Sequence, residues 1–194
     1  MKIFKMSHTL GWPRVFATPS HELFVEEFLD QIPAVSRDAK VPAFQLADIE
    51  KKGLPFYQIS PSILCFNKTV YLGPLGRILS FCGDVFETRL NDTGEEIFLL
   101  NVTAMYNCID HANTIYNARP PLRQERGVDH QMGIKVPAFF PGLIGDSSVF
   151  RIPQHQQSAI YVASRGHEDS DDFYYMYQQS GLKGLEFRQV WDGD

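Results

Sequence analysis

Six histidines, at positions 8, 21, 111, 130, 155 and 167, are the residues of this 194-residue chain best suited to acid–base or metal chemistry. Imidazole titrates near neutral pH and binds metals, so its spacing is informative. A metal site on a helix would set two histidines at i and i+4, as in H-E-x-x-H, and no such pair occurs. Asp110-His111 and Asp129-His130 each put a carboxylate beside an imidazole. Neighbours on a strand point to opposite faces, so adjacency alone does not pair them. Ser164-Arg165-Gly166-His167 offers a hydroxyl near an imidazole, but a nucleophile also needs an orienting group in space, and a loop is the simpler reading. Glycine-rich phosphate loops and the G-x-S-x-G elbow are missing from the sequence. The expectation is no catalytic centre, no metal and no cofactor.

Charge offers a second kind of chemistry. Glu168, Asp169, Asp171 and Asp172 put four carboxylates within five positions. One such residue caps a helix, and the others suit its dipole. The excess charge marks these four as candidate partner-binding residues. Calcium is not expected, because the run lacks the glycine and distal glutamate of an EF-hand. The net charge is −5. Arg119, Arg123 and Arg126 fall in a Pro-rich stretch that reads as a solvated connection, so no direct nucleic-acid partner is expected. Cys65, Cys82 and Cys108 each have apolar neighbours, and with no C-x-x-C they read as buried free thiols. Met1 to Gly11 has no long apolar run and does not read as a signal peptide, and no stretch is long enough to span a membrane. A cytoplasmic location is the expectation.

The elements that must position these residues are readable in part. Thr18 and Pro19 open a predicted helix to Gln31, closed by Pro33. Phe44 to Lys52 reads as a short helix ending at Gly53. Ile63 to Phe66 is a strand or buried turn, and Leu75 to Phe81 is helical. Asp84–Leu90 and Glu96–Val102, joined by Asn91-Asp92-Thr93-Gly94, predict a hairpin. Met105–Ile109 and Thr114–Asn117 are expected to extend its sheet. Ala118 to Gly145 reads as a long irregular connection. Ser148–Ile152 and Ala159–Ala163 predict two strands with a polar turn. A helix from Asp172 to Gln179 follows, capped by Ser170 or Asp171 and ended by Gly181. Leu185 to Val190 is the last strand, with Leu185, Phe187 and Gln189 on one face. The layout is α+β, a mixed or antiparallel sheet with a few flanking helices. An irregular N-terminal part, 1–57, and an α+β domain, 58–194, are expected to form one compact unit.

Three blocks carry a more specific signal: Ile59 to Asn67, Phe98 to Val102 followed by Asn107 to Asp110, and the C-terminal series. That series comprises Ser148-Val149-Phe150-Arg151-Ile152-Pro153, Ile160-Tyr161-Val162-Ala163-Ser164 and Ser180-Gly181-Leu182-Lys183-Gly184-Leu185-Glu186-Phe187-Arg188. In this order they resemble a family of bacterial immunity proteins of polymorphic toxin systems, formerly known only as a domain of unknown function. The resemblance runs from about Gln58 to the C-terminus. It implies a protein that binds and inhibits the C-terminal domain of a cognate toxin inside the producing cell. Toxins of this kind are often nucleases of the HNH type, whose basic cleft would suit an acidic partner. Two other readings stand beside it. One is an enzyme of unknown class using Asp110, His111, His130 or the acidic run. The other is a structural subunit of a secretion apparatus.

Overall fold

The computed structural model describes residues 1–17, 43–47, 52–117, 133–155, 159–166 and 170–193. The chain is α+β: among the described residues, twelve strands and three α-helices. The predicted hairpin is present, as β6 (Gly83–Arg89) and β7 (Glu96–Val102), paired in register from Gly83 opposite Val102 to Arg89 opposite Glu96. Its turn closes through Gly94, whose φ of +70° is the left-handed conformation glycine adopts at no steric cost.

That hairpin belongs to a four-stranded antiparallel sheet of order β4-β5-β7-β6, with β4 at Phe56–Ser60 and β5 at Ile63–Asn67. A second four-stranded antiparallel sheet contains β1 (Lys2–His8), β10 (Val149–Phe150), β11 (Ile160–Ser164) and β12 (Leu185–Asp192), in the order β10-β11-β1-β12. β1 is therefore a central strand, with β11 on one side and β12 on the other. The boundary expected at residue 57 falls inside β4, and residues 1–57 contribute to both large sheets.

Both faces of the central strands are covered. Phe4, Val162, Phe66 and Leu100 join a core shared by the two sheets and the helices. Tyr57, Cys65, Ile97 and Leu99 pack with Phe44 and Val15 on the other side of the first sheet. Ile3, Tyr161 and Ala163 pack with Cys108, Phe139 and Ile144 on the other side of the second. Strands buried on two faces favour apolar residues at successive positions, and Ile63–Phe66 of β5, Ile97–Leu100 of β7 and Ile160–Ala163 of β11 read as such runs. Cys65, Cys82 and Cys108 are buried free thiols, as expected.

Several local expectations are corrected. Phe44–Leu46 is a strand, β3, paired with β2 (Val15–Ala17), where a helix was predicted; Phe44 is fully buried in this pairing. Met105–Ile109 and Thr114–Asn117 do not extend the hairpin sheet. Ile115–Tyr116 (β8) pairs instead with Ile134–Val136 (β9) in a separate ribbon, and Ile109 bridges Phe139. The stretch from residue 133 to 145 is thus partly ordered by strand pairing. The helix predicted from Pro19 lies outside the described residues. In the last strand Leu185, Phe187 and Gln189 share one face as expected, opposite His8, Met6 and Phe4, and a bulge follows between Gln189 and Trp191.

Candidate functional site

Three helices form one layer of the molecule, α1 (Lys68–Leu72), α2 (Pro74–Cys82) and α3 (Phe173–Ser180). Asn67 starts α1 by accepting a hydrogen bond from the Val70 amide at 3.0 Å. Pro74 occupies the first position of α2, where a missing N–H costs nothing. Gly76 lets the two helices meet closely: a β-carbon there would fall 2.0 Å from the Tyr71 carbonyl oxygen. Leu75, Ile78, Leu79 and Cys82 turn inward. Leu72 and Phe81 are left in solvent, 72% and 75% exposed.

Between the α1–α2 corner and α3 runs a groove of about 310 Å³, lined by Thr69, Val70, Pro74, Leu75, Met176 and Leu182. Its walls are almost wholly apolar. Large apolar side chains exposed next to an apolar groove are a common mark of a protein-binding surface. A second exposed apolar set lies on the ribbon, where Ile115 faces Val136 across the strands. Sequence periodicity found α2 but not its exposure. Phe81 lies three residues after inward Ile78, at the margin of the buried stripe, where the period alone does not decide its side.

The acidic run divides. Glu168 and Asp169 lie outside the described residues. Asp172, expected as an exposed contact residue, is only 4% exposed and is the N-cap of α3. Its carboxylate accepts from the Tyr175 amide at 3.0 Å, the Arg165 amide at 3.0 Å and the Ser164 hydroxyl at 2.8 Å. Asp172, rather than Ser170 or Asp171, caps the helix, because its side chain alone reaches both the helix start and the end of β11. Ser164 therefore serves the cap. Asp171 stays at the surface and has a partner of its own.

The described histidines, His8, His111 and His155, do not converge. His111 bonds through Nδ1 to the Tyr116 hydroxyl on the ribbon. Its neighbour Asp110 instead accepts from the backbone of Ala112 and Asn113 and from the Asn113 amide. The Asn113 amide, first among these donors, holds the Asp110 carboxyl below its ordinary pKa. His155 bonds to the Tyr161 hydroxyl at 2.5 Å. The pKa of His8 is held down to about 4 by burial, and its Nε2 has no hydrogen-bond partner among the described residues. His21, His130, His167 and the arginines at 119, 123 and 126 lie outside the described residues. Among the described residues no three potential metal ligands cluster.

Two of the family-like blocks have structural roles. Arg151, in the phenylalanine-arginine block, is fully buried and donates to the Ser62 carbonyl at 2.5 Å, tying β10 to the β4–β5 turn. Burial lowers its guanidinium to about 10, and its Nε and Nη1 have no partner among the described residues. In the glycine-rich block, Gly181 has φ +67° and ends α3 as expected. Gly184 has φ +120° and lies under the Trp12 ring, where a β-carbon would fall 2.7 Å from it. The Tyr177 hydroxyl accepts from the Leu185 amide and donates to its carbonyl. This covers the free edge of β12 at that point.

Compared with known proteins, the chain matches no family model and no curated protein. No described helix is long and apolar enough to cross a membrane.

Proposed function

We propose that this chain is an immunity protein that binds a cognate bacterial toxin effector and blocks it by occlusion inside the producing cell. The observation that carries the reading is the helical surface at the α1–α2 corner. An apolar groove opens there, and Leu72 at the end of α1 and Phe81 near the end of α2 stand in water on the same two helices. Exposing two such side chains forgoes roughly 1.5–3 kcal/mol each, a cost that a bound partner recovers. The order of the sequence blocks supports an immunity protein in particular, and the acidic balance suits a nuclease partner. The groove would receive an apolar segment of the toxin domain. The carboxylates at 168, 169 and 171 would act through their charge, speeding association.

The test is co-expression with the C-terminal domain of the toxin encoded beside this gene. Wild type should restore growth and co-purify with that domain. Leu72→Glu combined with Phe81→Glu should keep the melting curve and lose the complex. A Glu168→Gln, Asp169→Asn, Asp171→Asn variant should associate more slowly at low salt and at an unchanged rate at high salt. Failure of wild type to protect or bind would overturn the proposal.

A further inference from the structure

On the face of the second sheet that turns away from the helices, β1 places Lys5 directly between Tyr161 of β11 and Arg188 of β12. Residues opposite one another across strands hold their Cβ atoms ~4.5–5.5 Å apart. His155, in the turn before β11, bonds to the Tyr161 hydroxyl at 2.5 Å with its ring parallel to the tyrosine ring. The sequence 188, 5, 161, 155 thus forms one row across three strands and a turn, and three of its four members are basic.

Like charges set opposite one another in a sheet are destabilising, so such a row needs a counter-charge. Among the described residues no carboxylate forms an ion pair with it. Glu186, the carboxylate on this side of β12, stands opposite Ser7, one pair further along. Among the described residues, Lys5 and Arg188 make no ion pair, whereas Lys2 pairs with Asp192 and Lys68 with Glu96. The mutual repulsion is felt: burial and then Arg188 lower the Lys5 ammonium, and burial and then Lys5 lower His155.

We infer that this row binds a phosphate-type oxyanion, held by the Arg188 guanidinium, the Lys5 ammonium and the His155 ring. A guanidinium fork matches two oxygens of a tetrahedral anion, and an ammonium takes a third as a point charge. The site lies apart from the helical groove and does not depend on the toxin-binding reading.

The experiment is an amide NMR titration of the wild-type protein with inorganic phosphate, with sodium chloride at matched ionic strength as the reference. Saturable shifts at Lys5, Tyr161 and Arg188 are expected with phosphate and not with chloride. In melting curves phosphate should raise wild type by about 3 °C more than chloride does. Lys5→Gln and Arg188→Gln should lose that response, and neither should melt below wild type in the absence of anion, because each removes repulsion. Sulfate, of similar shape and charge, should compete. Absence of saturation in wild type would overturn the proposal, whatever the variants do. So would chloride reproducing the shifts, or a phosphate response equal in both variants, since simple screening would then account for the effect.

Discussion

Replacing Asp172 by alanine removes a single carboxylate that three donors share, so its cost can be worked bond by bond. Loss of the cap to the Tyr175 amide costs ~1 kcal/mol. The Ser164 hydroxyl, itself buried, loses its acceptor, at ~1 kcal/mol or more. The Arg165 amide, closer to solvent, recovers part of its loss from water and adds about 0.5 kcal/mol. The total is about 2.5–3 kcal/mol. A chain of this size loses about 2–4 °C of Tm per kcal/mol, so Asp172→Ala should melt roughly 5–12 °C below wild type. Asp172→Asn keeps one acceptor oxygen in place and should lose about half as much. The assay is thermal unfolding by circular dichroism, with amide exchange at Tyr175 and Arg165 as the local readout. A Tm within about 1 °C of wild type for Asp172→Ala would refute the capping role and return Asp172 to the exposed acidic run. The sequence alone favours the opposite outcome, because all four carboxylates look alike there.

The remaining predictions concern buried or conformationally constrained residues. His8 has its folded-state pKa depressed to about 4 against an ordinary 6.5, so the unfolded chain binds more protons between those values. Stability from this group is complete above pH 6.5 and lost as pH falls toward 4, by up to about 3 kcal/mol; His8→Phe should flatten that part of the stability–pH profile, and an unchanged slope would contradict it. Gly184→Ala should cost more than Gly181→Ala in denaturant unfolding, because both have positive φ but only Gly184 sets its new methyl against the Trp12 ring. Equal losses would remove the Trp12 contact from the explanation. Arg151→Met removes a buried cation at similar volume and should stay within about 1.5 kcal/mol of wild type, whereas Arg151→Ala opens a cavity and should cost ~2–5 kcal/mol. If methionine costs as much as alanine, the guanidinium charge itself holds the sheets together.

What the sequence determined about this protein is what short stretches decide for themselves. The β6–β7 hairpin follows from its own alternation and from the turn Asn91-Asp92-Thr93-Gly94, and α3 ends at Gly181 because glycine accepts a positive φ. The thiols were legible as buried from their apolar neighbours. The tertiary structure decided the rest, because it depended on residues far apart in the chain. Nothing near Lys2–His8 says that it will lie between β11 and β12, or that Phe44 will extend beside Val15 instead of turning into a helix. Of the candidate site, the period of α2 was legible in the sequence, yet the exposure of Leu72 and Phe81 is a property of the packed structure. Asp172 was distinguished from its acidic neighbours only when β11 brought Ser164 and Arg165 to its carboxylate. Lys5, Arg188 and His155 became one row by the same means. Charge and polarity are written residue by residue, but whether a charge is buried, paired or left facing its like is set by strand register, and register is fixed by long-range pairing.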